Sequence, residues 1–481
     1  MSPALLVAAL LSAGSPQPDV LSVPRPSGPE WLGVYLVGKK AGWARFEVGR
    51  ERREGQDVLV ATSEIQFRVT IAGKQVERRQ RDQKVYQARP GGSLLAFKSE
   101  RSGDGGNRTV EGSCTPRACR ATLAAEGSPL QVKELPPVPE TAEQADAFRL
   151  AAARRSTVAG AMLDLEQLRE KKMQDVFQRR EKLGGAGVEV PVAVVAESEP
   201  TDRLPAVYLV ADDGRVVEVR WGESLVAKAE PEAVARRLDK VDLFNLSRVS
   251  LPGPLPQSVP GRIRFVMHGL PPAFQVDDAR QSYRPQGSGE VAVTVTARPA
   301  GAGDPARDAR RPVRATGEMA EFLAATPEVD ADDPRIRRTA GQVVGDTRGV
   351  YAASRKILDF VYRRLEKVYG QSRDRASEVL VAGKGDCSEH ALLFLALARA
   401  AGIPARGVHG LVYARYADGV PALYWHAWVE VRSGKEWIAM DPTFDQPVAD
   451  ATHVALGRGT QADAVGLLGA LTVARAEPLA P

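Results

Sequence analysis

Residues 383–404 read GKGDCSEHALLFLALARAAGIP, and this stretch determines the fold of the C-terminal third of the chain. Asp386 followed three residues later by Glu389 is a capping-box pattern, which predicts that a helix begins at or next to Cys387. The residues that follow are mostly apolar, and Gly402 is typical of a helix end. The stretch therefore predicts a buried helix with a cysteine at its start.

The position of Cys387 favours a reactive thiol. Unpaired backbone N–H groups and the dipole at a helix start stabilise a thiolate, and the same N–H groups can hold an oxyanion. A structural cysteine is more typical of mid-helix positions, such as those between Leu393 and Ala398. The helix position by itself is compatible with either kind of cysteine, so the downstream residues decide the interpretation.

Two downstream segments, ALYWHAWVEV (422–431) and KEWIAMDPT (435–443), alternate as strands around a predicted hairpin turn. With Ser433-Gly434 as the two-residue loop, His426 lies directly opposite Asp441, and opposed residues share one face of a sheet. A carboxylate placed there holds one imidazole nitrogen and leaves the other for a thiol. Each residue alone has an ordinary alternative, a packed strand histidine and a turn-forming Asp-Pro-Thr.

These motifs resemble the core of the transglutaminase-like superfamily. The matching motifs are GDCSEHA (385–391), GIPAR (402–406), HAWVE (426–430) and DPT (441–443), and the resemblance spans about residues 316–459. It implies an α+β papain-like fold, with the cysteine helix packed on an antiparallel sheet that carries the histidine and the aspartate. It also implies thioester chemistry, in which Cys387 attacks an amide carbonyl, His426 moves the proton and Asp441 orients the imidazole.

The resemblance leaves the oxyanion donor open. Papain-like enzymes use a glutamine six residues before the cysteine, and Val381 occupies that position. Transglutaminase-like proteins use a side chain farther upstream, which makes Tyr369 and Gln371 candidates. The backbone N–H of Cys387 is the preferred first donor.

Further candidates for the lining of the site are Trp428 and His453. The other histidines, such as His268 and His409, have no partners at metal-ligand spacing. We therefore predict no catalytic metal and no cofactor.

The N-terminal half is predicted to be β-rich. Trp31 to Val37 and Trp43 to Val48 alternate around a Gly-bounded turn, and further period-two stretches follow. Residues 140–183 are rich in Ala, Arg, Glu, Gln and Leu at helical spacing, which predicts a helical insertion that stops at Gly184-Gly185. The β-rich region weakly resembles the curved sheets of bacterial envelope and lipoprotein-carrier proteins, which implies a binding or docking module.

The fold class is therefore multidomain, with an antiparallel β-rich N-terminal region and an α+β transglutaminase-like domain. At 481 residues the chain is longer than one hydrophobic core usually organises. The predicted divisions are a signal peptide and linker (1–28), a β-rich envelope-type domain (29–250), a small β module and linker (251–314), the catalytic domain (315–460) and a C-terminal tail (461–481).

Composition and cysteine usage bear on the compartment and on the partners. Lys+Arg number 65 and Asp+Glu number 60, and the basic clusters are flanked by acidic residues, so no nucleic-acid partner is expected. The longest apolar stretch is too short for a membrane span. Ala4 to Ala13 is typical of a weak signal peptide, and Cys114 with Cys119 of a small disulfide loop. We expect a periplasmic or extracellular protein; a cytoplasmic one with two reduced cysteines is the alternative.

The leading functional hypothesis is a cysteine peptidase, amidase or acyltransferase that acts on peptide or protein amides. The alternative is a non-catalytic envelope binding or assembly protein that uses a transglutaminase-like scaffold, with an envelope protein partner bound by the β-rich region. An intact Cys387, His426 and Asp441 set favours the enzyme, because a scaffold has no need of all three.

Overall fold

The computed structural model describes residues 21–480, except for 72, 127–128, 186–187, 201, 257–260, 298–308, 371–372, 415–418 and 460–465. The chain divides into two compact units. One comprises residues 1–70 and 75–241, and the other comprises residues 71–74 and 242–481. The predicted signal peptide at Ala4 to Ala13 lies outside the described residues.

The first unit is built on one fourteen-stranded sheet with the order β8-β7-β6-β5-β4-β3-β2-β1-β14-β13-β12-β11-β10-β9. Its strands are β1 (Glu30–Leu36), β2 (Lys39–Arg53), β3 (Gln56–Ile71), β4 (Lys74–Gln87), β5 (Leu94–Gly103), β6 (Arg108–Cys114), β7 (Cys119–Ala125), β8 (Gln131–Leu135), β9 (Thr157–Asp164), β10 (Arg169–Gly185), β11 (Val188–Ser198), β12 (Ala206–Ala211), β13 (Val216–Trp221) and β14 (Leu225–Ala229). Most strands pair with the strands that precede and follow them in the chain, and the pairing of β1 with β14 joins the two ends of the unit. The predicted β-rich character of this region is therefore observed.

The helical insertion predicted over residues 140–183 is wrong for most of its length. A 3₁₀ turn (Ala142–Asp146) and α1 (Ala147–Arg154) begin the segment, and β9 and β10 occupy the rest. Most of β10 pairs with β11, so Gly184 and Gly185 end a strand. Packing against neighbouring strands overrides the helical propensity of this Lys-, Arg- and Glu-rich segment. A short helix, α2 (Glu232–Ala235), follows the sheet.

Cys114 and Cys119 form a disulfide at the turn between β6 and β7. The two residues face each other as the last pair of the hairpin ladder. Cys387 remains a free thiol. No helix in the described part of the chain is both long enough and apolar enough to cross a membrane.

The second unit combines helices with two larger sheets and a two-stranded parallel pair. Its helices are α3 (Leu243–Ser247), α4 (Pro334–Val344), α5 (Val350–Arg364), α6 (Ala376–Ala382) and α7 (Cys387–Ala400), with 3₁₀ turns at Pro272–Phe274 and Gly317–Met319. Its strands are β15 (Val249–Ser250), β16 (Arg262–His268), β17 (Gln281–Gly287), β18 (Glu290–Thr296), β19 (Glu366–Lys367), β20 (Lys384–Gly385), β21 (Ala405–Ala414), β22 (Ala422–Ser433), β23 (Glu436–Met440), β24 (Val454–Arg458) and β25 (Thr472–Pro478).

The helix that begins at Cys387 is the centre of the second unit's main core. Phe394 and Leu397 on α7 are fully buried in one apolar cluster with residues of α4, α5 and α6. The same cluster includes Val429 and Val431 of β22. Burial of such side chains contributes about 1.5–3 kcal/mol each. The packing therefore holds the start of α7 against the sheet β15-β22-β21-β24, to which β23 is added beside β22.

A smaller sheet has the order β17-β18-β16-β25. Residues 251–314, predicted as a small β module and linker, contain β16, β17 and β18. Within the predicted C-terminal tail (461–481), Thr472–Pro478 forms β25 and pairs with β16. Val473 at this strand is buried, which gives the segment a packing reason to be ordered.

Candidate active site

Cys387 is the first residue of α7, and the residues before and after it fix the helix start. Asp386 is the N-cap, and the Ser388 N–H donates to its Oδ1 at 2.9 Å. The N–H of Asp386 donates in turn to Oε2 of Glu389 at 2.8 Å, which completes the capping box read from the sequence. The Arg373 N–H donates to the other oxygen of Glu389 at 3.1 Å. Cys387 therefore lies on a first helical turn that is held from both sides.

His426 and Asp441 meet, but not in the register that the sequence suggested. Ser433 pairs with Glu436 around a Gly434-Lys435 turn, so the direct partner positions are shifted by two residues. Gly434 has a φ of 60°, a conformation that glycine adopts without strain at the first position of a two-residue hairpin turn. The shift by two keeps His426 and Asp441 on one face as diagonal neighbours. Their side chains still meet, with His426 Nε2 2.8 Å from Asp441 Oδ2.

Asp441 is fully buried and all of its hydrogen-bonding directions are used. The backbone N–H groups of Thr443 and Phe444 donate to Oδ1 at 2.7 and 3.2 Å. The imidazoles of His426 and His453 both approach Oδ2, at 2.8 and 3.0 Å. This carboxylate is therefore fixed by the turn that follows β23 and aims one oxygen at both histidines.

His453, predicted to line the site, lies behind Asp441. Its Nε2 contacts Asp441, and its Nδ1 lies 3.1 Å from Oδ1 of Asp450. Asp450 also accepts hydrogen bonds from the N–H and the hydroxyl of Thr452. His453 therefore bridges two carboxylates in the interior and supports Asp441.

The charges around His426 keep its imidazole protonated near neutral pH. Burial lowers the pKa of His426, but Asp441 and the neighbouring Cys387 outweigh burial and raise that pKa to about 9. Burial likewise raises the pKa of Asp441, yet His426 and His453 bring it far below its usual range. For His453, burial lowers the pKa, and hydrogen bonds to Asp441 and Asp450 raise it overall. Because Nε2 of His426 contacts Asp441, Nδ1 is the nitrogen left for the thiol.

Cys387 and His426 open onto a cavity of about 340 Å³ inside the second unit. The cavity is also lined by Tyr369, Asp386, Ser388 and Trp425, and its apolar lining includes Leu243, Phe244, Tyr424 and Leu468. The ring of Phe244 stacks on Tyr424 at 5.1 Å between centroids. Phe444 stacks on the imidazole of His426 at 4.9 Å. An apolar cavity with a thiol and an imidazole at its edge can accommodate an acyl group that carries an apolar substituent.

The remaining sequence-based candidates divide into three cases. Tyr369 lines the cavity, at an edge-to-face distance of 6.4 Å from Phe244. Gln371 lies outside the described residues. Trp428 does not line the cavity; it is fully buried and packs on His453 with 5.2 Å between ring centroids. Trp428 therefore supports the site from within the core.

His426, Asp441 and His453 also offer ligand atoms that lie within 4.8 Å of one another, a separation that a metal ion could bridge. Two imidazoles and a carboxylate are an ordinary ligand set for zinc. In this structure both Nε2 atoms are instead within hydrogen-bonding distance of the same carboxylate oxygen, and all three side chains are buried. A hydrogen-bonded chain explains these contacts, and the absence of a catalytic metal remains a prediction.

Several residues of the site were not predicted. Asp450 stands three residues before His453, and that spacing is a local signal for a paired imidazole. Phe444 follows Asp-Pro-Thr directly and covers the imidazole of His426. Leu243 and Phe244 of α3 are far away in sequence, and no motif marks them.

The family comparison agrees with this geometry. Residues 337–442 match the model of the transglutaminase-like superfamily. The match includes the Cys387 helix start, the His426 strand and Asp441. This part of the chain is a transglutaminase-like domain.

Curated relatives cover only part of the chain. Uncharacterized proteins of Mycobacterium bovis and Mycobacterium tuberculosis are 34% identical over 116 residues, which is 22% of this chain. The match spans 36% of the length of those proteins, or about a third.

Two solved structures show weaker likeness. A candidate cysteine protease from Cytophaga hutchinsonii is 19% identical, covering 46% of this chain and 84% of its own, with a TM-score of 0.31. A β-barrel-like protein of a domain of unknown function from Brucella abortus is 10% identical, covering 42% of this chain and 94% of its own, with a TM-score of 0.30. TM-scores of this size do not establish a shared fold.

Proposed function

We propose that the transglutaminase-like domain is a cysteine-dependent acyl-transfer enzyme that acts on peptide or protein amides. The single observation that carries the proposal is the contact chain Cys387, His426 and Asp441 at the edge of a cavity. A scaffold protein has no need of a free thiol beside a buried, carboxylate-bound imidazole. The arrangement is papain-like in this proposal, with the cysteine helix packed against the strand that carries the histidine.

In the first step the thiolate of Cys387 attacks the amide carbonyl carbon. The carbonyl π electrons move to the oxygen, and the backbone N–H of Cys387 at the helix start donates to that oxyanion. The C–N bond then breaks as Nδ1 of His426 gives its proton to the leaving nitrogen, which departs as ammonia or an amine. The product is a thioester on Cys387.

In the second step a water molecule or a primary amine attacks the thioester. His426 takes the proton of the attacking group, the C–S bond breaks, and the thiolate of Cys387 is restored. Asp441 holds the imidazole in the orientation that both steps require and stabilises its protonated form. Hydrolysis gives an acid, and attack by an amine gives a new amide.

We also propose that the protein acts outside the cytoplasm, in the periplasm or extracellularly. The disulfide between Cys114 and Cys119 supports this location, because such bonds persist in oxidising compartments. We further propose that the β-rich sheet of the first unit is a docking module for an envelope protein.

The test is incubation of the full chain with a glutamine-rich unfolded protein such as β-casein, with and without biotinylated cadaverine. We expect mass spectrometry to show cleavage, deamidation or cadaverine incorporation, all absent with Cys387→Ala. Incorporation would identify an acyltransferase, whereas cleavage or deamidation would identify a hydrolase. The same products from the native protein and from Cys387→Ala would refute the proposed nucleophile and favour the scaffold alternative.

A further inference from the structure

A second cavity, of about 410 Å³, lies within the first unit and has no part in the proposed acyl transfer. Strands β2, β3 and β4 line one part of it, and β9 to β13 line another, together with α1. Phe46, Phe148 and Met162 give it apolar surface. Glu47, Asp82, Asp164, Glu166 and Glu197 give it acidic surface. A cavity of this volume is in the range that small-molecule ligands occupy.

Two acidic side chains face each other beside this cavity, and Glu197 is the one that lines it. Asp175 on β10 is the direct cross-strand partner of Glu197 on β11, so both lie on the same face of the sheet. Glu197 and Lys171 line the cavity. Lys171 lies on the same face of β10 as Asp175. Like charges in this arrangement destabilise a sheet unless a counter-charge is present.

Asp175 is the more deeply buried of the two. Asp175 is only 1% exposed. Its Oδ1 has no hydrogen-bond partner among the described residues. Burial and the neighbouring Glu197 raise the pKa of Asp175 to about 8. Tyr208, which lines the cavity, places its hydroxyl 3.4 Å from Glu197. A buried carboxyl oxygen without a partner is costly, and a hydrogen-bond donor would relieve that cost.

The cationic side chains at the cavity already have carboxylate partners. Lys84 donates to Glu140 at 2.9 Å, and Arg149 pairs with Glu30 and Asp146. Lys171 lies 3.6 Å from Glu199 and also attracts Glu197 electrostatically. Glu197, with Asp175 directly opposite it on β10, is therefore the part of the cavity wall that a cationic ligand would complete.

We propose that this cavity binds a primary alkylamine, with the ammonium group at Glu197, next to Asp175, and the alkyl chain against the apolar wall. An ammonium offers three N–H donors, enough for the Glu197 carboxylate and two further acceptors. The ring of Phe148 stacks on Tyr208 at 4.6 Å, which makes a flat apolar surface beside the acidic pair. Hydrogen bonds to charged groups are the strong ones in such a site.

Isothermal titration calorimetry of the full chain with n-hexylamine, n-hexanol and hexanoate tests this site. We expect saturable binding of hexylamine, and binding of hexanol and hexanoate that is weaker by about tenfold or more, as loss of a charged hydrogen bond predicts. The Cys387→Ala variant is expected to keep the hexylamine affinity, which separates this cavity from the proposed acyl-transfer site. Equal binding of hexylamine and hexanoate, or no binding of hexylamine, would overturn the proposal.

Three variants locate the ligand. Glu197→Gln and Asp175→Asn are each expected to weaken hexylamine binding by about tenfold or more. Glu189→Gln, on the same strand as Glu197 with a side chain 61% exposed, is the matched control and is expected to leave it unchanged. Glu197 is only partly buried, so Glu197→Gln remains informative if Asp175→Asn fails to fold. Unchanged affinity in Glu197→Gln would place the amine elsewhere and refute the site.

Discussion

At the residue scale, the buried carboxylate of Asp441 organises the site. Its four hydrogen bonds come from two backbone N–H groups and two imidazoles. The sequence predicted the pairing with His426, because both residues fall on one face of a hairpin in either register. It did not predict that His453 contacts the same oxygen of Asp441. That contact depends on how the loop between Asp441 and His453 folds back.

The support that His453 gives to Asp441 is testable by its removal. His453→Ala leaves Asp441 and Asp450 each with one lost partner, and breaking such a buried charge pair costs about 3–5 kcal/mol of unfolding free energy. His268→Ala is the matched control, because His268 pairs with Glu290 but its side chain is 43% exposed. We expect that control to lose less than about 1 kcal/mol. Urea unfolding measures both, and equal losses would contradict a supporting role for His453.

The pH dependence of stability follows from the raised pKa of His426. A base whose folded-state pKa is about 9, against 6.5 ordinarily, contributes stability that is complete below pH 6.5 and is lost as the pH rises through 9. The contribution is at most about 3 kcal/mol. Asp441→Asn removes one of the two partners that raise the pKa of His426, and one of the two that raise the pKa of His453. We therefore expect the unfolding free energy to fall less steeply between pH 6.5 and 9 in this variant.

Other titrating groups contribute equally to the pH dependence of the native protein and of Asp441→Asn, so their contributions cancel when the two are compared. Glu389, for example, has a pKa that burial raises to about 8, and it contributes to both curves alike. Urea unfolding at half-unit pH intervals measures the two slopes. Identical slopes for the native protein and Asp441→Asn would show that His426 is not stabilised by Asp441.

At the element scale, the start of α7 is the feature that the sequence predicted best. A capping box is a local pattern within four residues, so it needs no knowledge of the tertiary fold. The β9–β10 segment shows the opposite case. Its helical propensity is a local signal as well, but pairing with β11 decides the outcome. The hairpin between β22 and β23 is an intermediate case. The sequence predicted that His426 and Asp441 share one face of the sheet, but it did not predict the position of the turn.

The capping box makes a prediction about the position of Cys387. Asp386→Ala removes the bond from the Ser388 N–H and is expected to cost about 1 kcal/mol of unfolding free energy. It is also expected to slow the reaction of Cys387 with a thiol-reactive amide probe, because the first turn of α7 loosens. Urea unfolding and labelling kinetics measure the two effects.

The matched control is Asp333→Ala at the start of α4, where the Arg335 N–H donates to Asp333. This variant should lose a similar amount of stability but should leave the labelling rate of Cys387 unchanged. Equal slowing in both variants would mean that general destabilisation, rather than the helix start, controls the thiol.

At the scale of the whole molecule, the two units carry separate features. The first unit holds the disulfide and the acidic cavity, and the second holds the thiol and its histidine. The sequence indicated a β-rich region and a transglutaminase-like region from periodicity and motifs. The apolar wall of the active-site cavity and the Asp175–Glu197 pair could not be predicted, because both join residues from segments that no motif links.

The disulfide is expected to stabilise the first unit without affecting the thiol site. In the chain-entropy model a bond that closes so short a loop, with a sequence separation of 5, contributes about 2 kcal/mol. The double variant Cys114→Ser/Cys119→Ser should therefore unfold at lower urea concentration and label at Cys387 at the native rate. Loss of Cys387 labelling in the folded double variant would contradict this separation.

The central claim is that Cys387 forms a thioester with an amide substrate. Rapid-quench mass spectrometry of the full chain, mixed with a glutamine-containing peptide, tests it most directly. We expect an acyl adduct on the proteolytic fragment that contains Cys387, formed much more slowly by His426→Ala and absent in Cys387→Ala. An adduct on another residue, or substrate turnover by Cys387→Ala at the native rate, would contradict the account.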